Sequence, residues 1–221
     1  MLVLAAKLTS ESSWFEIVFT GGGIIGYVIW VLSFLMVGLV IQSFISIRKS
    51  NIHPPDAEAR LGGMLDNAQY REAIDATVSA PDFYSYVLHA ALTDAGRGYA
   101  AMERAMEEAG EERTGKLLRS IEWLNLLGNI GPLMGLLGTV QGMIEAFFDL
   151  VRKGGSPSAA DLAGSVGIAL ICTMLGLTLA IPALSVFFIQ RVRIDGICSG
   201  AMLAAQQMIQ RFRPGAKPAD A

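Results

Sequence analysis

The sequence predicts an all-α membrane protein with three transmembrane helices and long cytoplasmic helical extensions. Three observations predict it. Of the 221 residues 52% are hydrophobic, and the mean hydropathy is positive, a composition that suits a membrane chain better than a soluble domain. Three stretches are long and uncharged enough to cross a bilayer, which takes about 20 residues: Ile17 to Ile47, Trp123 to Ile144, and Leu162 to Gln190. No run alternates polar and apolar residues for long enough to suggest a strand.

Residues 1–23 form a periplasmic N-terminal segment. The opening MLVLAA is too short for a signal-peptide core before Lys7. Residues 11–20 carry Trp14 and Phe15 and read as a short interfacial helix, broken by Gly21 to Gly23. The first transmembrane helix covers 24–47, and Trp14, Tyr27 and Trp30 suit an aromatic belt. A cytoplasmic helical region covers 48–120. Asn51-Ile52-His53-Pro54-Pro55 is the turn that ends the first helix. Helical patterns follow over Ala57–Leu65, Gln69–Val78, Phe83–Ala95 and Ala100–Ala109. The expected breaks are Gly62-Gly63, Pro81 and Gly96 to Gly98. Met102, Met106 and Ala109, then Leu117, Ile121 and Leu124, make one helix feeding the second span, with bends expected at Gly110 and Gly115. The second transmembrane helix covers 121–150, a periplasmic loop 151–161, and the third transmembrane helix 162–190. A cytoplasmic helical tail covers 191–221. Val192, Ile194, Ile197, Met208 and Ile209 continue the helical pattern as far as Pro214, and GAKPADA is expected to be disordered.

Orientation follows the basic residues at the span ends. Arg48 and Lys49, then Arg113, Lys116 and Arg119, then Arg191 and Arg193 gather on one side, against Lys7, Arg152 and Lys153 on the other. The bias puts the N-terminus outside and the C-terminus in the cytoplasm.

Much chemistry is excluded. Residues 48–120 carry 12 acidic and 9 basic residues, a mixed balance that argues against nucleic-acid binding. His53 and His89 lie apart and read as surface or packing residues. Cys172 and Cys198 lack metal-ligand spacing and sit in a reducing compartment, so no disulfide and no metal are expected. There is no phosphate-cradling loop and no nucleophile–base set. The chain is not expected to be an enzyme or to need a cofactor.

The most informative pattern lies in the second span. Gly128, Gly131, Gly135, Gly138 and Gly142 step by three and four, so they fall on one side of a helix. A glycine row lets another helix approach closely, which is how membrane helices pack. Continued, the row reaches Glu145 and Asp149, and membrane carboxylates are functional candidates. Pro132 removes one backbone hydrogen bond mid-span and is expected to kink the helix. Asn125, Asn129, Thr139 and Gln141 add polar groups. In the third span Ser165, Ala169, Thr173, Gly176, Ala180 and Ala183 make a second small-residue face. The two faces either pack on each other or line an internal surface around a partner helix. Three thin helices with two such faces suit an oligomer better than a monomer.

Pro132-Leu-Met-Gly-Leu-Leu-Gly-Thr-Val-Gln-Gly-Met143 followed by Ala146-Phe147 resembles the signature of the MotA/TolQ/ExbB proton-channel family. Gly176-Leu and Ala180-Ile-Pro-Ala183 look like that family's last transmembrane helix. The order of elements is similar too, and closer to ExbB and TolQ than to MotA, which usually carries four spans. The resemblance implies a homopentamer of the bacterial inner membrane around an ExbD/TolR-like single-span partner. Proton flow would power a TonB/TolA-like protein that spans the periplasm. It also implies that Thr139 and Thr173 are the pore threonines. The family's usual glutamate five residues before the second threonine is Ile168 here. Glu145, about 7–8 Å inside the membrane against about 10 Å for Ile168 at 1.5 Å per residue, is either the substitute as outer proton relay or a solvated carboxylate at the outer membrane edge, paired with Arg152 or Lys153. The departure at Ile168 motivates an alternative, a non-conducting pentameric scaffold that has lost proton transfer.

Overall fold

A computed structural model describes residues 22–78, 80–152, 154 and 158–213, apart from the side chains of Asn51 and of residues 159–161. The interfacial helix expected over 11–20 and the tail GAKPADA lie outside the described residues. Every regular element among those residues is helical. In chain order they are α1 (Gly23–Ser46), α2 (Lys49–Ile52), α3 (Pro55–Asp66), α4 (Tyr70–Val78), α5 (Phe83–Thr93), α6 (Tyr99–Arg152) and α7 (Ala159–Ile209), with short 3-10 turns at Ala95–Arg97 and Gln210–Phe212. Three of them, α1, α6 and α7, are long and apolar enough to cross a membrane. The described residues divide into two compact units, one within 22–41 and 122–187, the other within 42–121 and 188–213.

In the first unit, membrane parts of α1, α6 and α7 pack together. Ile25, Ile29 and Met36 of α1 are buried, with Leu124 and Leu127 of α6 and Cys172, Leu175, Leu179 and Ala183 of α7. Residues at these steps share a helix face. The opposite faces carry exposed bulk, including Ile24, Phe34, Leu133, Phe147 and Ile181. Only 17% of the most apolar window of α6 is buried within the chain, so most of that surface is left for lipid or for other chains.

The second unit is a conventional small core. Proline at the first position of α3 and Asp56 and Glu58 in its first turn favour a helix start there. Asp82 caps α5, its Oδ2 accepting from the Ser85 N–H at 2.8 Å. A 3-10 turn and Gly98, at φ +96°, replace the expected end of α5 at Ala95 and lead into α6; that backbone conformation suits glycine. Leu61, Tyr84, Val87, Leu88, Met102 and Ile194 are fully buried. The break expected at Gly62-Gly63 does not form: α3 runs through both. A Cβ at Gly62 would stand 3.3 Å from Met208 Cε, so that glycine makes room for a neighbour and does not end the helix. Gly110 does the same for Met202, and α6 runs without interruption through Gly110, Gly115 and Pro132.

The two histidines are packing residues. His53 stacks on Tyr84 with ring centroids 5.1 Å apart and lies 3.1 Å from Glu58. The Thr77 hydroxyl donates to the Ile74 carbonyl at 2.6 Å and therefore accepts from His89 Nδ1–H at 3.0 Å. Burial, then the Glu58 carboxylate, pushes the Tyr84 phenol well above the usual tyrosine range. The unfolded chain ionises this phenol near pH 10 while the folded chain still holds its proton. Stability is therefore expected to fall as pH rises above about 10. Chemical denaturation of Tyr84→Phe should show a smaller loss between pH 9 and 11 than the unaltered protein. An equal loss in both would assign the alkaline sensitivity elsewhere.

Candidate functional site: the seam and its two flanks

The five glycines of α6 and the small residues of α7 face each other within one chain. The two helices run antiparallel, and their pairings climb in step. A Cβ at Gly142 would stand 2.8 Å from the Ser165 carbonyl oxygen and 2.9 Å from Ala169 Cβ. At Gly138 it would stand 2.3 Å from Cys172 Cβ, and at Gly135 3.1 Å from Thr173 Cα. At Gly131 it would meet the Gly176 carbonyl oxygen at 2.8 Å, and at Gly128 Leu184 Cγ at 2.5 Å. A Cβ at Gly176 would in turn stand 2.5 Å from the Gly131 carbonyl oxygen. Of the two arrangements open to the small-residue faces, the chain adopts direct packing of one on the other. Hydrophobicity gives no preference between helices in lipid, so close backbone approach supplies the contact.

The seam has two flanks, and they carry different chemistry. Counting about 100° per residue from Gly135, Thr139, Asn125, Asn129 and Glu122 turn to one side. Gly138, Glu145 and Gln141 turn to the other. Cys172 sits against Gly138, and its thiol donates to the Gly22 carbonyl at 3.3 Å. The second flank is therefore the one beside α1, and the first is, among the described residues, the open one, where Glu122 and Asn129 are exposed.

Thr139 and Thr173 are both half-buried, and Thr173, turned about 100° round α7 from Cys172, lies toward the same side of the seam as Thr139. Each hydroxyl donates to its own helix, Thr139 to the Leu136 carbonyl at 2.7 Å and Thr173 to the Ala169 carbonyl at 3.2 Å. Such back-bonding uses the proton of each hydroxyl and leaves its oxygen as an acceptor. Glu145 is not brought to the threonines. It is half-buried on the α1 flank, and its Oε1 accepts from Gln141 Nε2 at 3.1 Å. Ile168 shares that flank, because it lies one turn from Cys172 on the same face of α7. Since Gly142 fits between Ser165 and Ala169, Ile168 stands level with Gln141. Glu145 is four residues, about 6 Å, nearer the Arg152 end, a larger offset than counting from the span ends gives. Asp149 is half-buried beyond it. Pro132 lies inside α6, and its missing N–H leaves the Gly128 carbonyl without its helical donor.

Glu122, Asn125 and Asn129 form a hydrogen-bonded ladder along α6. Asn125 Nδ2 donates to Glu122 Oε1 at 2.7 Å, and Asn129 Nδ2 donates to Asn125 Oδ1 at 2.9 Å and to its carbonyl at 2.8 Å. The steps of three and four are the signal, legible as E-x-x-N-x-x-x-N. Among the described residues no group of three or more His, Cys, Asp or Glu is placed to hold a metal ion. Cys172 and Cys198 are both free and buried.

Three helices long and apolar enough to cross a membrane, two of them locked along a glycine seam with a polar flank, define a multi-pass membrane protein. Residues 77–200, more than half of the chain, match the model of the MotA/TolQ/ExbB proton channel family, and the chain belongs to that family. It is 39% identical over 75 residues to the biopolymer transport protein exbB1 of Vibrio cholerae, covering 34% of this chain and 33% of that one. It is 38% identical over 80 residues to the Tol-Pal system protein TolQ of Pseudomonas aeruginosa, covering 36% and 34%. The putative biopolymer transport protein ExbB homolog of Methanothermobacter thermautotrophicus is 26% identical over 178 residues, covering 80% and 63%. The matched stretch thus spans about a third of the length of the first two relatives.

Proposed function

We propose that the protein is an ExbB/TolQ-like subunit of an energy-transducing complex in the bacterial inner membrane. It conducts protons together with an ExbD/TolR-like single-span partner, and the proton-motive force then powers transport or envelope work, through a TonB/TolA-like protein. The N-terminus lies in the periplasm and the C-terminus in the cytoplasm, following the basic residues at the span ends. The working form is a homopentamer, which fits a chain that leaves most of the apolar surface of α6 uncovered.

What supports this reading is that Thr139 and Thr173 lie toward the same side of the seam, both half-buried. Gly22 and Gly26 stand against Cys172 and Leu175 on the other side, and a partner helix is left the threonine side. An acceptor oxygen there hydrogen-bonds a protonated carboxyl or a water on that helix, and a hydroxyl that swings from its own carbonyl donates to the ionised form. The test is proton flux into liposomes from the complex copurified through a tag on this chain. Thr139→Val and Thr173→Val keep shape and remove the hydroxyl. The double variant should assemble normally and conduct several-fold less. Undiminished flux would return both hydroxyls to their helix-bonding role. A complex that assembles without conducting at all would favour the scaffold reading that Ile168 motivates.

A further inference from the structure

The ladder on α6 has a direction. Its amide donations run toward Glu122: Asn129 Nδ2 donates to Asn125, and Asn125 Nδ2 donates to Glu122. Asn129 spends both N–H groups on Asn125 and keeps Oδ1 as an acceptor. Glu122 and Asn129 are exposed and Asn125 is half-buried. An exposed carboxylate and two amides along a membrane helix are costly against lipid, and such groups face a bundle interior or water. The flank that bears them is the flank of Thr139, ten residues or about 15 Å from Asn129 along the helix.

We propose that this ladder is the cytoplasmic exit of the proton path, with Glu122 as its terminal acceptor and Asn125 and Asn129 as positioning residues. Asn129 Oδ1 holds a hydrated proton arriving from the threonine level. The proton passes through water to the Glu122 carboxylate: an O–H bond of the hydronium breaks, a carboxyl O–H forms, and water is left. The carboxyl then gives the proton to cytoplasmic water, and the carboxylate is restored. The amides carry no proton. They orient the carboxylate, and Asn129 Oδ1 is left to accept from the incoming hydronium.

The inference rests on the proton-conducting reading, and one experiment separates the two. Proton flux is measured in liposomes for the copurified complex carrying Glu122→Gln, Glu122→Asp, Asn129→Leu or Asn129→Asp, with assembly checked by size-exclusion chromatography. Glu122→Gln keeps an oxygen for Asn125 and removes the titrating group, so flux should fall about tenfold with assembly intact. Glu122→Asp should retain most of it. Asn129→Leu should lower flux and Asn129→Asp, which keeps an acceptor oxygen, should restore it. Full flux in Glu122→Gln, beside a conducting unaltered complex, overturns the exit and leaves the conducting reading standing. No flux in the unaltered complex overturns both.

Discussion

Gly138→Leu is expected to undo the packing of α6 on α7 and to destabilise the protein by about 3 kcal/mol, the upper range for forcing extra carbons into a filled space. A Cβ alone would stand 2.3 Å from Cys172 Cβ and 2.8 Å from its sulfur. Cys172 has nowhere simple to go, because its thiol is committed to the Gly22 carbonyl. Gly131→Leu and Gly176→Leu should be as severe, since each added carbon meets backbone of the facing helix. The control is Gly167→Ala. Nothing lies within 4 Å of a Cβ there, so the gain in helix propensity makes the change neutral or stabilising by up to about 1 kcal/mol. Thermal unfolding in detergent, followed by circular dichroism, measures all four. Because the seam is internal to the chain, unfolding of the helix pair should precede or accompany loss of the oligomer. An assembled complex of unaltered stability in Gly138→Leu would show that the seam is not the close contact described here.

Glu145→Gln is expected to abolish most proton flux, by about tenfold or more, if Glu145 takes the place of the family's glutamate. The placing favours the test. Glu145 and Ile168 share the α1 flank, one helical turn apart in level, and Gln141 bridges that turn by donating to the Glu145 carboxylate. A carboxylate returned to the family position by Ile168→Glu should therefore restore part of the flux lost in Glu145→Gln. The relay would have to pass its proton across the seam, because the threonines stand on the other flank. Unchanged flux in Glu145→Gln would make the carboxylate an ordinary polar residue at the membrane edge. Loss without rescue would keep Glu145 in the path and leave position 168 outside it.

The sequence by itself determined the all-helical membrane class, because span length, charge spacing and helical period are local properties that lipid makes decisive. The glycine steps were legible for the same reason: a period of three and four marks a face whatever that face meets. Local pattern was silent on what stands opposite. Only the tertiary structure decided that Gly131 meets Gly176 and Gly138 meets Cys172, since antiparallel register is set by which small residues interlock and not by either helix alone. It also decided the flanks. Glu145 continues the glycine row on paper, yet Cys172 reaching Gly22 puts α1 on that side and leaves Thr139 on the other. The same holds for Gly62 and Gly110. As sequence they read as a break and a bend; packing puts Met208 and Met202 in the space a side chain would have taken, and α3 runs unbroken through Gly62.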